Sequence, residues 1–121
     1  MMAKLVHCMD GTVLGEYPLT KKGKLRIGRR PGNDIQLDDL TVSGNHATVS
    51  VQASPYVEGR NDVYVEDRGS TNGTQVNGKA VHFHLLKHGD VLRIGSHEFR
   101  YVDEENLGFE RTQIFMPDGQ G

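Results

Sequence analysis

Apolar residues alternate with polar ones in short runs along this chain, and no run holds a helical period. Lys24-Leu25-Arg26-Ile27-Gly28 places Leu25 and Ile27 on one face. His46-Ala47-Thr48-Val49-Ser50-Val51 does the same with Ala47, Val49 and Val51. A period of two over four to eight residues predicts half-buried strands. Further strands are expected over Lys4 to Met9, Val13 to Leu19, Ile35 to Leu37, Val63 to Asp67, Thr74 to Val76, Ala80 to Leu86, Val91 to Ile94 and His97 to Val102. Turn signals separate them: Asp10-Gly11, Lys21-Lys22-Gly23, Pro31-Gly32-Asn33-Asp34, Asn77-Gly78, Lys87-His88-Gly89-Asp90 and Gly95-Ser96. Residues 53–61 read as a long hairpin connection. The fold class is therefore all-β, a sandwich of about eleven short strands in two sheets.

Two loops break this alternation and carry the candidate chemistry. The first runs from Asp38 to Asn45, after Gly28-Arg29, and ends at Ser43-Gly44-Asn45-His46. The second is Asp67-Arg68-Gly69-Ser70-Thr71-Asn72-Gly73-Thr74. Loops at one end of a sandwich can bring Arg29, Ser43 and Thr71-Asn72 to one point. A guanidinium fork, two hydroxyls, an amide and free backbone N–H groups suit a phosphate.

Gly28-Arg29, the Ser-x-x-His of Ser43 to His46, and Ser70-Thr71-Asn72-Gly73-Thr74 stand in an order that resembles the forkhead-associated (FHA) domain, as do Asn33-Asp34-Ile35 and Gly89-Asp90. The resemblance covers roughly residues 4 to 103. It implies a phosphothreonine-binding module that needs no cofactor and is not an enzyme. It implies phosphate contacts from Arg29, Ser43 and Thr71, with Asn72 on the ligand main chain. Gly44 would allow close approach of the ligand, and Gly28, His46 and Gly73 would shape the loops. The implied partners are a phosphothreonine-containing protein and a Ser/Thr kinase. FHA domains also read the third residue after the phosphothreonine. No arginine directly precedes Ser43, so tolerance of an apolar residue there is expected over a demand for an acid.

Composition narrows the alternatives. The 121 residues suffice for one domain, expected over 1–103, with a tail over 104–121. A formal net charge of −2 gives no basic field for nucleic acid. No run of about 18 apolar residues suggests a membrane span. A single cysteine, Cys8, excludes an intrachain disulfide and fits a reducing compartment, so the expected localisation is cytoplasmic. No nucleotide loop is completed, because Gly78-Lys79 is followed by Ala80. His82 and His84 would share a strand face with His88 nearby, but no acid or cysteine clusters with them in sequence, and no metal is expected.

The tail holds one further candidate. Thr112 lies in Phe109-Glu110-Arg111-Thr112-Gln113-Ile114-Phe115, with an apolar residue three places on. Once phosphorylated it could enter an FHA pocket and drive self-association. The resemblance places the termini opposite the binding loops, which favours capture between molecules.

Overall fold

A computed structural model of the protein describes residues 3–104, and Thr112 and the rest of the tail from residue 105 lie outside them. Eleven strands follow in order: β1 (Lys4–Met9), β2 (Thr12–Pro18), β3 (Gly23–Gly28), β4 (Ile35–Gln36), β5 (Ala47–Ala53), β6 (Asn61–Asp67), β7 (Thr74–Val76), β8 (Lys79–Val81), β9 (Phe83–Leu85), β10 (Val91–Ile94) and β11 (His97–Val102). They form two sheets, one ordered β2-β1-β11-β10-β7-β8 and the other β4-β3-β5-β6-β9. All pairs are antiparallel except β3 and β4.

The alternation decides which side chains fill the core. Ala47, Val49 and Val51 of β5 are buried, and so are Val63 and Val65 of β6, paired to them in register. Leu5, Leu92, Ile94, Phe99 and Tyr101 come from the other sheet and complete one apolar cluster. Burying a side chain of this size contributes about 1.5–3 kcal/mol. The expected turn at Asn77-Gly78 has both residues at positive φ, 53° and 84°, which matches the twist of the strands it joins. The connection over residues 53–61 closes a hairpin in which Ala53 pairs Asn61.

One expected strand is two. Ala80 to Leu86 divides at His82: β8 pairs with β7 in one sheet, and β9 pairs with β6 in the other. The chain crosses between sheets there, with the His82 carbonyl accepting the Asp67 N–H at 2.9 Å. His84 Nε2 meets Asp90 Oδ2 at 3.2 Å, and His88 Nδ1 accepts the Asp103 N–H at 2.9 Å. No group of metal-ligating side chains forms among the described residues.

Candidate functional site

The first loop is held against the end of β3 by backbone pairing. His46 N–H donates to the Ile27 carbonyl, Arg29 N–H to Ser43, and Arg30 N–H to Gly44, at 3.0, 3.0 and 3.2 Å. A Cβ on Gly28 would collide with the Gly44 carbonyl oxygen and come within 2.8 Å of Asn33 Nδ2, so only glycine permits this approach. Asn33 pins the same place, its amide donating to the carbonyls of Gly44 at 2.7 Å and Arg30 at 2.9 Å. Arg29 is exposed, and its Nε donates to the Val42 carbonyl at 3.1 Å.

Asp67 shapes the second loop. Its carboxylate accepts the Gly69 and Ser70 N–H groups and the hydroxyls of Ser70 and Thr74. Burial pushes this carboxyl up, but the four donors outweigh it and hold the group below the ordinary carboxylate range. The Ser70 hydroxyl in turn accepts the Gly73 N–H at 3.0 Å.

His46 joins the loops. It is fully buried, its Nδ1 accepts the Ser43 N–H at 3.0 Å, and its Nε2 donates to the Gly73 carbonyl at 2.9 Å. This pair of partners fixes the ring tautomer. Two contacts bring the site residues together directly. Thr71 N–H donates to Ser43 Oγ at 3.0 Å, and Asn72 Nδ2 donates to the Thr41 carbonyl at 2.9 Å. Arg29, Ser43, Thr71 and Asn72 thus lie on two loops locked to one another. Gly44 is covered on its Cβ side by the side chain of Arg30.

Asp39 is a third anchor of the site. Its carboxylate accepts the Thr41 hydroxyl at 2.6 Å, the Thr41 N–H at 2.8 Å and the Ser96 N–H at 3.1 Å. Those hydrogen bonds, the Thr41 hydroxyl foremost, hold its carboxyl down at about 2. The first loop is therefore tied to the turn between β10 and β11. A cleft of about 280 Å³ opens beside Asn72, with Thr41, Gln75, Arg93 and Ser96 among its walls. Sequence reading missed Arg93, which only strand pairing brings here, and missed the anchoring roles of Asn33, Asp39 and Asp67. An acid two residues before a polar N–H was a usable signal for the two aspartates.

The guanidinium partners separate the arginines. Arg26, Arg60, Arg68 and Arg93 each pair with a carboxylate. Arg29, Arg30 and Arg100 pair with none among the described residues, and of these Arg29 and Arg30 follow β3 directly at the first loop. Arg29, beside the Ser43 hydroxyl, has the donor chemistry that an anion needs.

Comparison with known proteins gives the family. The family model described as FHA domain matches residues 25–95. The chain belongs to the FHA domain family. Its relatives include an ABC transporter ATP-binding/permease protein of Mycobacterium tuberculosis, 37% identical over 103 residues. That match takes in 80% of this chain and 11% of the relative. The glycogen accumulation regulator GarA of the same organism is 43% identical over 75 residues, which is 62% of this chain and 41% of GarA. The chain thus spans less than half the length of these relatives. An FHA domain solved in a study of phosphothreonine-dependent interactions superposes with a TM-score of 0.69 and 30% identity, over 85% of this chain and 97% of that domain.

Proposed function

We propose that this FHA domain captures phosphothreonine-containing protein segments and acts as a non-enzymatic adaptor downstream of a Ser/Thr kinase. The observation that carries the reading is the locked pair of loops presenting Arg29, with no carboxylate partner among the described residues, beside Ser43 and Thr71. A phosphate dianion supplies the missing counter-charge and accepts from the guanidinium and the hydroxyls. Asn72, already on the rim of the cleft, holds the ligand main chain. Gly28, His46 and Gly73 keep the loops in register. Catalysis finds no support here, because both His46 nitrogens are engaged by backbone groups and leave no base beside Ser43. No helix among the described residues is long and apolar enough to cross a membrane. A cytoplasmic partner phosphorylated by a kinase fits this reading, and so does a second copy of the chain phosphorylated at Thr112.

Calorimetric titration with matched phosphothreonine, phosphoserine and unphosphorylated peptides tests the function. Arg29→Ala should weaken phosphothreonine binding at least about a hundredfold, since it strips the charged partner from the phosphate. The circular dichroism spectrum should stay unchanged, because Arg29 is exposed. Equal affinity for the unphosphorylated peptide, or no loss in the variant, would refute the reading.

A further inference from the structure

Two clefts with no lining residue in common adjoin the site loops, and their cations differ in partner. On the Asn72 side the cation is Arg93, and its Nη1 already bonds Glu98 Oε2 at 2.8 Å. The second cleft, about 360 Å³, is walled by Arg29, Arg30, Pro31 and Gly44. Arg30 pairs with no carboxylate among the described residues. We propose that Arg30 forms a second anionic subsite, reading an acidic or phosphorylated side chain that flanks the phosphothreonine. This rests on the phosphothreonine-binding function proposed above and names the ligand class of the same site.

Three features make Arg30 a built element rather than a loose surface cation. Its backbone is clamped on both sides: the N–H donates to the Gly44 carbonyl, while the carbonyl accepts from Asn33 N–H and Asn33 Nδ2. Its stem lies against Gly44. A Cβ there would sit 2.7 Å from Arg30 Nε, 3.0 Å from Cγ and 3.1 Å from Cδ, so any other residue at position 44 would displace the side chain. Pro31 follows directly, and its ring fixes the backbone at the cleft wall. A seated guanidinium loses less freedom on binding an anion than a mobile one. Gly44 adjoins Ser43, so the anion read by Arg30 belongs to a residue close to the phosphothreonine.

The test titrates the full chain with phosphothreonine peptides. Each of the three positions on either side is set in turn to Ala, Glu, Lys or phosphoserine. Wild type, Arg30→Ala and Arg30→Met are compared, the last keeping an apolar stem over Gly44 without the charge. At one flanking position Glu should bind about fivefold more tightly than Ala, the upper range for an exposed ion pair. Lys should bind more weakly than Ala. Both variants should lose this discrimination while binding the Ala peptide within about twofold of wild type. A larger gain for phosphoserine than for Glu, also lost in the variants, would make the natural ligand doubly phosphorylated. The reverse order would make it an acidic segment. Three results overturn the proposal: no anionic preference in wild type, a preference that survives both variants, or an equal loss for every phosphopeptide, which would make Arg30 a ligand of the phosphothreonine itself. Failure of wild type to bind any of the phosphopeptides would instead refute the underlying function.

Discussion

Asp67 is not among the residues that face a ligand, yet the second loop depends on it. Its carboxylate gathers two backbone N–H groups and two hydroxyls, and Ser70, oriented by it, accepts from Gly73. Asp67→Ala leaves these donors in a partly buried place without a partner. The expected cost is about 3 kcal/mol of folding stability, read from urea unfolding. Phosphopeptide affinity should fall as well, because Thr71 and Asn72 ride on this loop. A loss under about 0.5 kcal/mol, within the range of an ordinary surface change, would show that water replaces the carboxylate. Residues of this kind divide what the sequence discloses from what it hides. Arg29, Ser43, Thr71 and Asn72 stand out in the sequence through the order of the motifs that hold them, and the structure brings the two loops that carry them together. Asn33 and Asp39 were not read as anchors, because their partners lie up to 57 positions away and no local period reports such a contact.

The turn joining β10 to β11 shows how one element positions another. Gly95 has φ +61°, and a Cβ there would lie 2.7 Å from Val42 Cγ2, 2.8 Å from Thr41 Oγ1 and 2.9 Å from Asp39 Oδ2. Gly95→Ala therefore pushes on the first loop and adds the cost of a left-handed alanine, about 1–2 kcal/mol. The variant should unfold at lower urea and bind phosphopeptide more weakly, with the Thr41 and Ser43 amide resonances shifted. Unchanged resonances at those two residues would disconnect the turn from the loop. Strand alternation disclosed most elements but not the division of Ala80 to Leu86. Val81, His84 and Leu86 are at least half-buried while Ala80, His82, Phe83 and Leu85 are exposed, so the alternation slips by one at His82 and Phe83, and residue type hides the slip because the inward His84 is polar and the outward Phe83 apolar.

At the scale of the whole molecule, a buried histidine pair links the sandwich to its binding end. His7 Nε2 lies 2.8 Å from His97 Nδ1, and His97 Nε2 lies 3.8 Å from Asp39 Oδ2. The carboxylate favours the proton on His97 Nε2, so His97 Nδ1 accepts from His7. Burial, then the neighbouring His97, lowers the His7 pKa from 6.5. A folded-state value below the unfolded one stabilises the fold fully above the ordinary range, and that stability is lost as pH falls through the folded value. Urea midpoints should therefore drop between pH 7.5 and 5.5, and His7→Phe should flatten that slope; equal slopes would clear His7 of the effect. The same axis governs the tail. The turn at Gly95-Ser96 marks the binding end, and β11 runs from it for six residues, about 20 Å, to the opposite end where Asp103 lies. Nine steps from Asp103 to Thr112 reach at most about 30 Å when fully extended. A phosphorylated Thr112 would spend about 20 Å of that reach retracing β11 alone, and the remainder has to round the end of the sandwich and orient the phosphothreonine in its own pocket. A neighbouring molecule carries no such constraint. Protein phosphorylated at Thr112 should thus elute as a monomer when dilute and as a dimer or chain when concentrated, whereas phosphorylated Arg29→Ala should stay monomeric throughout. Elution of phosphorylated wild type as a monomer at every concentration would exclude assembly between molecules.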